Sequence, residues 1–367
     1  MGILAAALVV VNACASVQRT GPATQDRPWR TYLGSDRRAG GGSDSVGSDP
    51  RPVWRTDVGR GITGSPALTE DLVVVAMVDR QVTLLDRSTG DVIWRRRLPN
   101  APGAGPLADG DRILVATQEE DGRVYALQFA TGARIWSAPA GDVAAPLAMD
   151  DSTVYAATTT GDVLALRTAD GTKAWRTHLA GAVRAAPLPT AAGLVVATTT
   201  DSLFLLEAGT GRVLVRAGIR GSVLAAPTLA GPLVVVGTSA GELLAFRADS
   251  LAQQWHLDLG GPVAGTVAVL EGTAYALTVR GTLWRVPLAS PSAATHVEAG
   301  VIARAGPVPT ASGVFVANVD GELVLVDPTT GARRWSARIQ SPLVEPPLVD
   351  GRFFLAAAAR GVVVAFR

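Results

Sequence analysis

Eight evenly spaced beats constrain this chain more than any other feature of its sequence. Trp54, Trp94, Trp136, Trp175, Trp255 and Trp335 fall 40, 42, 39, 80 and 80 residues apart, and Val215 and His296 stand on the two skipped beats. Each beat closes an eleven-residue phrase. The fullest copy is Leu84-Leu85-Asp86-Arg87-Ser88-Thr89-Gly90-Asp91-Val92-Ile93-Trp94, repeated at 126–136, 165–175 and 325–335, while 205–215 keeps Thr210-Gly211 and loses the tryptophan. A fixed period of this size marks a repeat architecture, which overrides the two or more domains that a length of 367 would otherwise suggest.

The glycines of the phrase, Gly90, Gly132, Gly171, Gly211 and Gly331, lie between two alternating apolar runs. Thr-Gly or Asp-Gly in that setting makes a hairpin turn, because glycine takes the positive φ that other residues resist. The tryptophan that follows is expected to pack sideways into the next unit. Upstream, six of the repeats carry small residues ending in proline, as in Gly64-Ser65-Pro66, Ala144-Ala145-Pro146 and Ala225-Ala226-Pro227, which suits an innermost strand crowded near an axis. A β-branched run and a second turn, such as Thr160-Gly161-Asp162 or Asp320-Gly321-Glu322, complete the unit. Four strands in forty residues is one blade of a propeller.

The two ends indicate how the ring closes. The last repeat stops at Ala365-Phe366-Arg367 with three strands, and Val53-Trp54-Arg55 matches the missing fourth. The expectation is an all-β, eight-bladed β-propeller over 52–367, built of four-stranded antiparallel blades and closed by its N-terminal strand, so that no blade edge is left incomplete.

Ahead of the ring, Ile3 to Val11 is an apolar run too short to span a bilayer, followed by Asn12-Ala13-Cys14. This resembles a bacterial lipoprotein signal (1–14) with Cys14 as the lipidated residue, and Ala15-Ser16 implies an outer-membrane anchor on the periplasmic side. Residues 15–51, poor in apolar side chains, read as a flexible tether. Cys14 is the single cysteine, which excludes a disulfide framework and a cysteine-based zinc site. With 33 Lys and Arg against 32 Asp and Glu, there is no basic excess to attract nucleic acid.

The repeated phrase with Asp86, Thr89, Gly90 and Trp94 is similar to the tryptophan-docking motif of the PQQ-like propeller repeat family. Three groups carry it: quinone-dependent alcohol dehydrogenases, the BamB-type lipoproteins of the outer-membrane β-barrel assembly machine, and sensor propellers. An eight-bladed ring behind a lipobox with no added domain resembles the BamB group in layout, and that resemblance implies a non-catalytic, monomeric scaffold that binds a protein partner, with the β-barrel assembly machine as the candidate. The mid-ring junctions 179–185 and 219–225 are short and lack that group's docking insertion, so no partner-binding residue is carried over from it.

Chemistry-bearing constellations are sparse. A quinone enzyme of this family would need clustered carboxylate and amide oxygens for Ca²⁺, a catalytic Asp and a vicinal disulfide, and one cysteine cannot make the last. No cofactor is therefore expected. Gly59-Arg60-Gly61-Ile62-Thr63-Gly64 fits G-x-G-x-x-G and Gly237 to Gly241 fits G-x-S-x-G, yet both link strands, with no helix following. His178, His256 and His296 fall on outer strands of separate blades, too dispersed for one metal or a catalytic triad. What remains is one face. Arg184 and Arg304 lie three residues before the blade proline, near the channel mouth; Glu119, Glu120, Asp121, Asp162, Asp201 and Glu242 occupy second turns; Arg280 and Arg360 replace the acids in blades six and eight. Of these, Arg184, Arg304, Asp162, Asp201, Glu242, Arg280 and Arg360 form the candidate partner-binding face, able to orient a protein electrostatically. A small ligand or glycan held in the channel is the sensor-type alternative.

Overall fold

The computed structural model describes residues 45–47 and 49–367. Its strands form eight four-stranded antiparallel sheets, as the period requires. Blade one runs outward from the axis through Ala67–Leu68, Leu72–Ala76, Gln81–Asp86 and Val92–Arg97. Blades two to seven repeat that order over 107–139, 148–178, 188–218, 228–258, 268–298 and 308–338. Blade eight takes three strands from the C-terminus, Leu348–Asp350, Phe353–Ala358 and Val362–Phe366, and its fourth, Pro52–Asp57, from the N-terminal side, with Trp54 opposite Ala365.

Burial follows position in the blade. The second and third strands are covered on both faces by neighbouring blades, so they read as near-continuous apolar runs such as Leu72–Ala76, every residue of it buried. Outer strands are exposed except on the docking side: in Val92–Arg97 only Trp94 is even partly covered. The core is accordingly divided into eight apolar clusters, each at a blade interface.

The tryptophans dock as the phrase implies. Four indole N–H groups donate to a carbonyl in the next blade's hairpin: Trp54 to Arg87 (2.8 Å), Trp94 to Phe129 (2.7 Å), Trp136 to Thr168 (2.9 Å) and Trp175 to Ala208 (2.8 Å). The ring lies on the hairpin glycine. A Cβ on Gly90, Gly132, Gly171 or Gly211 would stand 2.5–3.0 Å from the indole, and each glycine has φ between 64° and 77°. Glycine is thus required there twice, for its backbone and for the space it leaves. Two residues after the tryptophan, Thr56 and Thr177 donate to the carbonyls of Gly90 and Gly211, both at 2.7 Å.

Elsewhere the motif is altered. At the first skipped beat Val215 stands in register opposite Leu205, and Leu251, φ 49°, replaces the glycine of the next hairpin and buries its side chain in the space an indole would fill. In blade six a 3₁₀ turn, Pro291–Ala293, lengthens the hairpin, so that His296 pairs with Trp284 and the Trp255 indole N–H is left buried without a partner. His296 in turn leaves Gly331 loose: a Cβ placed there would meet nothing closer than 3.4 Å.

The small-residue runs lie just ahead of the innermost strands and not within them: strand pairing begins at Ala67, directly after Pro66. The runs of adjacent blades approach to backbone contact, where a Cβ on Gly105 would meet the Ser65 carbonyl at 1.9 Å. The end of the expected tether bears on the ring as well. Val46 is buried in the blade seven–eight cluster, Pro50 accepts the Trp335 indole at 3.2 Å, and Arg51 exchanges backbone hydrogen bonds with Arg367. Cys14, the signal and the rest of the tether lie outside the described residues.

Candidate functional site

The second turns and the lead-in runs share one face of the ring and surround the channel mouth. There a vestibule of about 440 Å³ receives residues from every blade. Blades one to three contribute only Gly64, Gly103, Ala104, Ala144 and Pro146, whereas Arg184, Leu224, Val279, Arg304, Val344 and Glu345 come from blades four to eight. The sequence-derived arginines Arg184 and Arg304 are thus brought to one cavity. Arg280 and Arg360 are exposed on the same face outside it. Among the described residues, none of these four guanidinium groups has a hydrogen-bonding or ion-pair partner.

The acids of the face are less available. Asp162 is turned inward: Arg176 donates to Oδ2 at 2.6 Å, Thr160 Oγ1 to the same oxygen at 3.3 Å, and His178 Nδ1 lies 3.3 Å from Oδ1. The Arg176 hydrogen bond holds the Asp162 carboxyl below the usual carboxylate range, against the opposing pull of burial. Glu242 faces Arg220 at 3.8 Å. In blade two, the Asn100 side-chain amide donates to Asp121 (2.6 Å) and Glu119 (3.2 Å), and Asp142 accepts from the Glu119 backbone and the Thr159 hydroxyl. Asp201, with φ 54°, remains exposed. Asp162 is therefore bound up in its own turn, while Glu119, Glu120, Asp121 and Asp201 are exposed on the face together with the arginines.

Asn100, Asp142, Arg176 and Arg220, which hold these acids, are not among the residues picked from the sequence. Asp142 carried a readable signal, since Gly-Asp-Val in blade three replaces Gly-Ala-Val and Gly-Ser-Val in blades four and five. Ser239 accepts the Ser222 backbone N–H at 3.0 Å, as a turn residue does. The histidines stand on outer strands of blades three, five and six, and among the described residues no three His, Cys, Asp or Glu side chains are grouped to hold a metal.

Comparison with known proteins bears on this geometry. The family described as outer membrane protein assembly factor BamB matches residues 46–188, 187–281 and 270–367, together the whole ring. BamB of Burkholderia pseudomallei is 31% identical over 152 residues, a stretch that covers 36% of this chain and 40% of that protein. Among solved structures, BamB from Moraxella catarrhalis superimposes with a TM-score of 0.74 at 18% identity, over 87% of this chain and 97% of that one. The quinohemoprotein alcohol dehydrogenase of Comamonas testosteroni does so with a TM-score of 0.77 at 13% identity, over 93% and 80%. Likeness at such identity carries the fold alone, so the dehydrogenase match speaks only to the propeller. The repeat phrase, the closed eight-bladed ring and the family match along its full length agree: the chain belongs to the BamB family of outer-membrane protein assembly factors.

Proposed function

We propose that this protein is a non-catalytic scaffold of outer-membrane β-barrel protein assembly, anchored through Cys14 to the periplasmic side of the outer membrane. The observation that carries this reading is the unbroken family match over all eight blades. The channel-mouth face suits the role. It presents four arginines without partners among the described residues, together with exposed Leu224 and Ile302, a mixture that can orient a charged partner surface and then bury apolar area against it.

The quinone-enzyme alternative fares worse on the residues present. The vestibule wall offers a cation one carboxylate, Glu345, and no side-chain amide, and Cys14 has no second cysteine to pair with. These residues do not fit a Ca²⁺-quinone pair. Crosslinking in intact membranes followed by identification of partners tests the scaffold: recovery of components of the β-barrel assembly machine supports it, and their consistent absence overturns it. A Cys14→Ser chain should leave the membrane fraction; if it stays, the anchor is wrong.

A further inference from the structure

We infer that the vestibule is a receptor for the free C-terminus of a peptide chain, with the terminal carboxylate held by Arg184 and Arg304 and an apolar last side chain set against Leu224, Val279 and Val344. The first argument is charge. Arg184 and Arg304 belong to blades four and seven, three positions apart around the ring, yet both line the same cavity, and neither has a protein partner among the described residues. The single acid on the wall, Glu345, is already engaged. Two guanidinium groups at the rim of one concave site, without partners among the described residues, are charged donors of the kind that bind a planar carboxylate.

The second argument is surface chemistry. Leu224 is 58% exposed, and Val279 and Val344 are each 37% exposed, in a protein whose other aliphatic side chains lie mostly in the blade interfaces. Apolar groups left open in the same cavity as two cations call for a ligand that is itself half apolar and half anionic. The third argument is size and lining. About 440 Å³ falls in the range of small-ligand sites and admits a few residues of extended chain. The remaining wall is Val263, alanine, glycine and proline backbone and the hydroxyl residues Thr238, Ser239 and Thr266, polar groups that can meet peptide amides and that a plain acyl chain would leave unmatched. The inference is independent of which folded protein docks on the surrounding turns.

Fluorescence anisotropy on the propeller, with a fluorescein-labelled Gly-Ser-Gly-Ala-Leu peptide bearing a free carboxylate, tests it. Its C-terminal amide serves as the second probe, and decanoate and pyrroloquinoline quinone as competitors. The free acid should bind at least about tenfold more tightly than the amide, since a charge-assisted contact is lost with amidation. Arg184→Ala and Arg304→Ala should each weaken binding by about tenfold or more. Arg184→Lys should recover part of that loss, and Arg95→Ala on the distant outer strand of blade one should change nothing. Unaltered thermal melting of the exposed-arginine variants would exclude misfolding. Equal binding of acid and amide, no binding of the acid at about 1 mM, or binding of a competitor where the peptide fails would each overturn the proposal.

Discussion

Two arcs of the ring are built from the same repeat and held in different ways. From blade eight through blade four, each interface carries the full dock: an indole lying on a positive-φ glycine and donating to the carbonyl of the hairpin beneath. From blade four to blade seven the dock is lost or loosened. Val215 faces a buried Leu251, Trp255 has no acceptor, and His296 leaves Gly331 uncovered. The seven–eight junction improvises: blade eight draws its fourth strand from the N-terminal side and not through a hairpin, so Pro50 supplies the acceptor, and Trp335 packs edge-on against Phe354 and Phe366 at 5.6 and 5.5 Å. Blades one to three, within the regular arc, give the vestibule only glycine, alanine and proline, and its larger side chains come from blades four to eight. Uniform blades make a smooth channel wall, and blades that have drifted from the repeat give the mouth its chemistry.

The largest effect that could break this comparison is removal of a complete dock. Trp175→Ala should cost about 3–5 kcal/mol in denaturant unfolding, the usual loss for deleting a buried indole. Trp255→Ala should cost about 1 kcal/mol less, because no hydrogen bond goes with it. If the two losses match, the docks differ in appearance only. Next in size is the glycine beneath. Gly211→Ala combines left-handed strain with a Cβ placed 2.5 Å from the Trp175 ring, for about 2–4 kcal/mol. Gly331→Ala meets nothing closer than 3.4 Å and should cost only the backbone strain, about 1–2 kcal/mol. Equal losses at the two glycines would remove the steric part of the argument.

The regular arc was almost wholly legible in the sequence, since tryptophans about forty residues apart, with a glycine four residues before Trp94, Trp136 and Trp175, leave few alternatives. Closure by Val53-Trp54-Arg55 could be read for the same reason. The altered arc was only partly legible. Val215 and His296 could be assigned to beats by counting, but the burial of Leu251 in an absent indole's place is a property of two blades together, and no single repeat announces it. The mouth shows the same divide. Arg184 and Arg304 could be placed by their distance from the blade proline, whereas the inward turn of Asp162 depends on Arg176, fourteen residues away and adjacent only because the third and outer strands pair.

That inward turn sharpens the comparison at smaller cost, because it asks whether the regular arc is held by its turns as well as its docks. Asp162→Asn should lose about 1–2 kcal/mol at neutral pH, the low end for a charge-assisted hydrogen bond since Arg176 is half exposed. The sign follows from the lowered carboxyl: the contribution is complete above the unfolded value near 3.9 and disappears as pH falls through the lower folded one. The difference between parent and variant should therefore vanish in strong acid. Glu242→Gln in blade five, where Arg220 stands 3.8 Å off, should cost less than about 1 kcal/mol at any pH.

The smallest expected effect isolates a single N–H. Phenylalanine keeps most of an indole's apolar face and removes its donor. At Trp175 that substitution forfeits the 2.8 Å bond to the Ala208 carbonyl and opens a small cavity, together about 2 kcal/mol. At Trp255 the donor is already buried without a partner, so losing it relieves a desolvation penalty of about 1–3 kcal/mol that offsets the cavity. Trp255→Phe should thus fall within about 1 kcal/mol of the parent and on either side of it. A loss as large as that at Trp175 would mean that the blade-six turn supplies an acceptor after all, and that the two arcs are docked alike at this interface.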